Sequence, residues 1–266
     1  MGQKINSNIF RLGLKNNLQW KTKYIEKNFE ESTLYIYNDI KIQNYLNRIF
    51  KLNGLIIHNC KHWYSNTNLK LYISYYVIQS NTLMFYDNST ELKLLLDQII
   101  ICIKLFVNNK FNVKIDIKTQ NLNEKYQNIL ENTFQKRIEK LRRFKNNPIF
   151  KELVYIIILT YVEKTSSKLL ANFIAMQFKK IKKRHGFFLF LLKTILLQFL
   201  KSKFSHIKGL KLVIKGRFNG ALRANTKILK IGEVPIQSIN SKIDYTITTA
   251  YTKNGTFGIK LWICEK

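Results

Sequence analysis

Acid is what this chain has least of. Sixteen Asp and Glu stand against 45 Lys and Arg in 266 residues, leaving a formal net charge of +29. Like charges repel in a compact chain, so so large an excess implies a polyanionic partner rather than a service to the fold. Nucleic acid is the first candidate, because each phosphate neutralised releases a counterion. An anionic membrane surface is the second, since basic amphipathic helices bind there as well. Cysteine is scarce too. Cys60, Cys102 and Cys264 are scattered and odd in number, with no CxxC pair, so neither a disulfide frame nor a zinc-finger spacing has support. His58, Cys60 and His62 alternate, and on one strand all three would share a face. No fourth ligand accompanies them, and no metal is expected. Proline occurs twice and glycine ten times, while Asn, Ile, Lys, Phe and Tyr abound. Codons rich in A and T encode that set, which points to an AT-rich genome such as an organelle's.

Long hydrophobic runs are also missing. Leu153–Val162 and Phe187–Leu200 are the longest, and both fall short of the ~18–20 apolar residues a membrane helix needs. Both are expected to be buried helices. The opening MGQKINSNIFRLG has neither an apolar h-region nor the Arg/Ser-rich pattern of a transit peptide, so any targeting is expected to be internal. There is no P-loop, the four histidines lack an evident Ser or Cys partner, and the carboxylates are scattered. No enzyme and no cofactor is expected. Hydrophobic residues nevertheless make up 46% of the chain, enough for real cores, so this is not a disordered basic tail.

Residues 1–35 are basic and polar, and are expected to order only against a partner. From Asn38, Ile40, Ile42, Tyr45, Leu46 and Ile49–Phe50 recur at helical spacing, and Gly54 sits where a left-handed residue would stop the helix. Strands are expected at Leu55–Asn59 and Leu69–Ile78, a helix from Thr90 through Phe106, and a third strand at Asn112–Lys118. That order makes a small α/β module. Glu124–Glu163 is helical in character and rich in charge, with Pro148 dividing it. Ser166 or Ser167 could cap a helix from Lys168 to about Arg184. That helix ends in Lys179, Lys180, Lys182, Lys183 and Arg184. Gly186 is expected to break it before a helix over Phe187–Lys203.

The last fifth is the most informative. Six glycines stand at turn-like places between Lys208 and Ile263, and cations alternate with apolar residues at strand spacing. Leu210, Leu212 and Ile214 would face a core, with Lys211, Val213 and Lys215 opposite. Arg223, Asn225 and Lys227 share a face, as do Ile243, Tyr245 and Ile247. Asn254–Gly255 marks a hairpin, because a type I′ turn needs two positive φ values. Ile259, Leu261 and Ile263 would point inward, Lys260 and Trp262 outward. The pattern predicts a twisted sheet with one face for a core and one for a polyanion.

These residues resemble a family, the small-subunit ribosomal protein S3 in its bacterial and organellar form. The opening Met1–Gly13 is similar to the family's start. Gly216–Ala221 (GRFNGA) with Arg223, Thr226, Gly232, Val234 and Pro235 resembles its C-terminal signature without gaps, as do Lys242–Tyr245, Gly255, Gly258–Lys260 and Trp262–Ile263. Lys168–Lys180 is similar to the preceding helix.

The resemblance implies an α+β protein: a type II KH-like α/β domain, a helical insertion, and a C-terminal α+β domain with two helices on a four-stranded, mostly antiparallel sheet. The corresponding bounds are 1–35 for a basic extension, 36–120, 121–165 and 166–266. It further implies a structural, non-enzymatic place in the head of a small, mitochondrial ribosomal subunit: bound to rRNA, near incoming mRNA, beside S10- and S14-type proteins, without membrane insertion, and organelle-encoded. Lys4, Arg11, Lys211, Lys215, Arg217, Asn219, Arg223 and Lys227 would meet rRNA. Lys179, Lys180, Lys182, Lys183 and Arg184 would line the path of the message, and Gly216, Gly220 and Gly255 would shape the turns. Two departures stand out. No glycine lies between Gly54 and Gly186, so the KH family's GxxG clamp, due near Gln79–Ser89, is absent in its usual form. Phe187–Phe190 also stands where paired arginines would be. The rival readings are a membrane-surface basic protein and an organellar RNA-processing factor of maturase type.

Overall fold

The α1 helix, Glu31–Leu52, carries Ile42, Leu46 and Phe50 four residues apart, which places them on one stripe, and all three are buried. A computed structural model describes residues 5–12, 21–65, 68–78, 89–111, 113–124, 138–144, 147–163, 166–200 and 206–266. These fall into two compact units: the described residues of Gln19–Gln127, and those of Met1–Leu18 together with Asn128–Lys266.

In the Gln19–Gln127 unit, α1 follows a two-residue strand β1, Thr22–Lys23, and precedes β2, Leu55–Tyr64, and β3, Asn68–Val77; then come α2, Ser89–Phe111, and β4, Lys114–Asn121. Gly54, with φ 72°, ends α1 at the predicted place. The sheet order is β1-β2-β3-β4, with β2 and β3 antiparallel and the other two pairs parallel. Ile99, Ile103 and Val107 form a second stripe of spacing four on α2, and Leu69, Leu71, Ile73, Tyr75 and Val77 alternate along β3. The two helical stripes and one sheet face close a single core. Helix–strand–strand–helix–strand is the order the sequence predicts. Its bounds differ. α1 starts seven residues before Asn38, because Leu34, Ile36 and Tyr37 are exposed and supply no inward period. β2 runs on to Tyr64 because β3 pairs with it along its whole length.

The other unit holds three described helices, α3 (Pro148–Val162), α4 (Ser167–Lys180) and α5 (His185–Leu200), then β5 (Ile207–Gly216), β6 (Asn225–Gly232), β7 (Ile243–Thr252) and β8 (Gly255–Glu265). The sheet is antiparallel throughout, in the order β6-β5-β8-β7. α4 covers β7 and β8, α5 covers β5 and β6, and α3 packs on α4 and α5. The two longest apolar runs are therefore core helices. Tyr161 of α3 donates its hydroxyl to the Leu196 carbonyl of α5 at 3.1 Å. No helix among the described residues is long and apolar enough to cross a membrane. Pro148 opens α3, where a missing N–H costs nothing. Of the expected 121–165 insertion, 125–137, 145–146 and 164–165 lie outside the described residues.

The cap of α4 differs from expectation. The Ser166 hydroxyl donates to the Thr160 carbonyl, and the Ser167 N–H is instead taken by the Asp244 carboxylate of β7 at 3.0 Å. An acid at a helix N-terminus also complements the helix dipole, which gives Asp244 a structural task. The break between α4 and α5 is also displaced. Ile181 is extended and Arg184 has φ 67°, so the turn is 181–184, and Gly186 lies inside the first turn of α5.

Candidate nucleic-acid interface

The α4–α5 turn and the loop after β5 are tied into one knot. His185, buried at the start of α5, donates its backbone N–H to the Asn219 side-chain oxygen at 3.1 Å. The Asn219 backbone N–H in turn donates to His185 Nδ1 at 3.0 Å, and Nε2 lies 3.0 Å from the Ile181 carbonyl. These partners require the proton on Nε2. Asn219 itself has φ 56°, a left-handed conformation that Asn tolerates better than most residues. Around this polar knot, His185 stacks on Phe178 with ring centroids 5.3 Å apart, and Phe218 and Phe257 close the sides. Gly216 is required here: a Cβ at that position would stand 2.3 Å from the Phe257 ring.

The knot brings together cations that the sequence places more than thirty residues apart. Lys179, Lys180, Lys182, Lys183 and Arg184 are exposed on its α4 side. On the loop side, Arg217 is exposed and its Nε donates to the Ala221 carbonyl at 2.7 Å. Lys227 Nζ lies 4.8 Å over the Phe218 ring, and a Cβ on Gly186 would come within 3.9 Å of the same ammonium. Arg223 is exposed in the following turn, next to Leu222. Gly220 and Gly255 both have positive φ, as their turn positions imply. Phe187 and Phe190 are exposed on the first turns of α5, so an aromatic surface adjoins this cationic one.

Lys211 and Lys215 lie elsewhere, on the sheet face away from the helices. Lys260, expected outward, and Lys230, which the sequence reading did not single out, join them there. Lys211 pairs across the sheet with Lys230, and Val213 with Lys260. Like charges set directly opposite each other are destabilising unless something anionic lies over them. The signal was in the register, which a single strand does not reveal. This face is not wholly polar. Trp262, expected outward, is only 9% exposed: it stacks on Tyr245 at 4.9 Å, lies 5.6 Å beneath the Lys211 ammonium, and clusters with Val234, Ile243 and Cys264. It is thereby withdrawn from base stacking. Burial pushes the Cys264 thiol above its ordinary value, which keeps it in the unreactive form.

Arg11 departs furthest from its expected role. It is 2% exposed, and its guanidinium donates to the carbonyls of Ser7, Ile236 and Ser238 at 2.7–2.8 Å. Beside it, Asn8 both donates to and accepts from the Tyr245 backbone at 3.0 and 2.9 Å, as an added strand residue would. Residues 5–12 are therefore docked on the C-terminal unit, through Asn8 and the buried Arg11, rather than a tail awaiting a partner. Within the opening motif, Asn8 fastens this segment to β7. Lys4 lies outside the described residues.

The His58, Cys60, His62 cluster is split by a bulge. The β2–β3 register slips between Ile57 and Asn59, and His58 turns to the Ser74 hydroxyl at 3.0 Å. Cys60 and His62 stay together, Sγ to Nε2 at 2.9 Å, with His62 Nδ1 against Asp39 of α1. Among the described residues no group of three or more His, Cys, Asp or Glu is placed to hold a metal ion.

Comparison with known proteins bears on the same segments. The family described as Ribosomal protein S3, C-terminal domain, matches residues 191–263, from within α5 into β8. The small ribosomal subunit protein uS3c of Staurastrum punctulatum is 36% identical over 134 residues, which is 49% of this chain and 58% of that protein. The small ribosomal subunit protein uS3 of Kosmotoga olearia is 25% identical over 264 residues, 99% of this chain and 94% of the relative. That of Aquifex pyrophilus is 45% identical over 56 residues, 21% of this chain and 24% of its own length. The chain thus spans somewhat over half of the first relative, nearly all of the second and about a quarter of the third.

Proposed function

We propose, on the premise that this chain belongs to the ribosomal protein S3 family of the small ribosomal subunit, that it holds ribosomal RNA through its C-terminal sheet and offers the 179–184 turn to messenger RNA entering the subunit. The observation that carries this reading is the His185–Asn219 knot. It sets the cations of the α4–α5 turn in a fixed relation to the loop that bears Arg217. A flexible lysine run would lose backbone entropy on binding, whereas a turn locked by the part-buried hydrogen bonds of His185 and Asn219 has its backbone ordered beforehand. Lys211, Lys215, Lys230 and Lys260 on the open sheet face would meet phosphates. Such contacts position a protein on RNA without reading its sequence. The role is structural, and no catalytic step is assigned to any residue.

The composition and the relatives named uS3c favour an organellar ribosome, and we assign the chain to the mitochondrial one. The Gln19–Gln127 unit is read as a KH-like scaffold without its glycine clamp. The helix–strand–strand–helix–strand order supports this, while residues 79–88, where the clamp would fall, are outside the described ones. S10- and S14-type proteins and the neighbouring rRNA are its proposed partners in the head.

The test is made on assembled particles. The protein should sediment with the small subunit and leave it only at high salt; free, RNA-less protein at low salt would overturn the reading. Subunits carrying Lys182→Glu, Lys183→Glu and Arg184→Glu should assemble normally yet translate structured messages worse than unstructured ones. Equal loss of assembly and translation would move this turn from the message to the rRNA.

A further inference from the structure

The Gln19–Gln127 unit has a face that the ribosomal reading leaves unused. Its sheet turns one side to α1 and α2. On the other side β2 presents Lys61 and Trp63, β3 presents Lys70 and Tyr72, and β4 presents Asp116 and Lys118; they line an open depression of about 720 Å³ that reaches round to Lys104 of α2. The register makes a checkerboard of these side chains. Trp63 lies opposite Lys70, Tyr72 lies between Lys61 and Lys118, and Lys70 lies between Trp63 and Asp116. Each ring therefore has cations one strand spacing away, about 5 Å. Trp63 is 48% exposed, which is unusual for so large an apolar side chain, and β1 sets the Lys23 ammonium 5.8 Å over its ring. The Tyr72 hydroxyl donates to the Gln120 side-chain oxygen, which ties that ring towards β4.

We propose that this face is a stacking platform for unpaired nucleotides of the small-subunit rRNA, with Trp63 and Tyr72 receiving bases and Lys61, Lys70 and Lys118 their phosphates. The chemistry selects the occupant. A protein partner would need acidic side chains for the lysines and would bury the indole among apolar groups, but the face is cationic and, among the described residues of its lining, carries two large rings. Single-stranded RNA supplies π-faces and negative charge in alternation, and base–aromatic stacking tolerates any sequence. The site is also separate from the cleft a glycine clamp would make. It needs only sheet-face side chains, so losing the GxxG loop does not remove it. The ribosomal reading enters only as the source of the RNA. Asp116 opposes the charge locally, and it can accept from an exocyclic amine, which favours cytosine over uracil beside the stacked base.

The experiment uses the full chain and fluorescein-labelled single-stranded octamers of rU and rC, with a duplex of equal length as control. Trp63→Leu and Tyr72→Leu keep every charge, and each is expected to weaken single-strand binding roughly tenfold while leaving duplex binding and the salt slope unchanged. Lys61→Gln with Lys70→Gln should instead lower the salt slope by about 0.7 per lysine. Thermal melts identify any variant that has lost its fold, and for such a variant photocrosslinking of Trp63 in native small subunits provides the deciding measurement. A crosslink to rRNA supports the platform. A crosslink to a neighbouring protein, or unchanged single-strand affinity in a folded Trp63→Leu variant, overturns it. The parent protein should sediment with the small subunit whether or not Trp63 stacks on RNA, so failure of the parent to sediment would count against the ribosomal reading and not against this one.

Discussion

Asn219 gives a prediction with a built-in control. Asn219→Gly removes the side-chain oxygen that accepts the His185 N–H, yet keeps the backbone donor to Nδ1 and tolerates φ 56°. One intramolecular hydrogen bond is worth about 1 kcal/mol. Asn219→Ala loses the same bond and also places a Cβ in the left-handed region, at roughly 1–2 kcal/mol. Against this, alanine gains ~0.4–1 kcal/mol over glycine because its unfolded chain has less freedom to lose. The alanine variant should therefore be the less stable of the two by on the order of 0.5–1 kcal/mol. In a unit of this size 1 kcal/mol moves the midpoint by about 2–4 °C. Calorimetry of the full chain should show the C-terminal unit melting first in Asn219→Ala, next in Asn219→Gly and last in the parent, with the other unit unmoved. His185→Phe preserves the stack on Phe178 but leaves the Ile181 carbonyl and the Asn219 N–H unpartnered, at about 1–3 kcal/mol each, and should fall below both. If the glycine and alanine variants melted together, or alanine above glycine, the left-handed knot would not hold the turn as described.

Arg11→Met is expected to destabilise the C-terminal unit by roughly 2–4 kcal/mol, since it strips a charged donor from three carbonyls, with no change in the salt slope of RNA binding. A slope lower by about 0.7–0.9 with stability intact would make Arg11 a phosphate contact instead. Gly216→Ala should cost about 1–3 kcal/mol in denaturant unfolding, because its Cβ would meet the Phe257 ring inside a filled aromatic cluster. Asp244→Ala should cost about 1 kcal/mol, as the N-terminus of α4 loses its acceptor, and Asp244→Asn should recover most of it. A null result for Asp244→Ala in a thermal melt would show that the Ser167 amide finds another partner.

Much of the architecture was readable because short-range physics writes it into the chain. The apolar spacing of four on α1 and two on β3 and β8, the left-handed glycine after α1 and the Asn254–Gly255 hairpin each depend on neighbours a few residues away. Element ends were harder. Nothing local to Ile181 says that the helix stops there, since the stop is enforced by a carbonyl that must serve His185. The same limit explains the errors at single residues. Alternation told Trp262 from Ile263, but not that Tyr245 and Val234 would cover the outer side as well. It also gave no reason to prefer Trp63, which stays half exposed with the Lys23 ammonium over its ring.

From the chain alone came the cationic surplus, the two α/β layers and their inward faces, the glycine-marked turns and the family resemblance, because each rests on composition or on spacing along one element. Only the folded chain decided which cations stand together, which arginine is consumed inside, and which tryptophan remains at the surface. Those outcomes depend on contacts such as His185 to Asn219 and Arg11 to Ile236, 34 and 225 residues apart, and a hydrogen bond across such a gap has no signature until the sheet's register brings its two ends within reach.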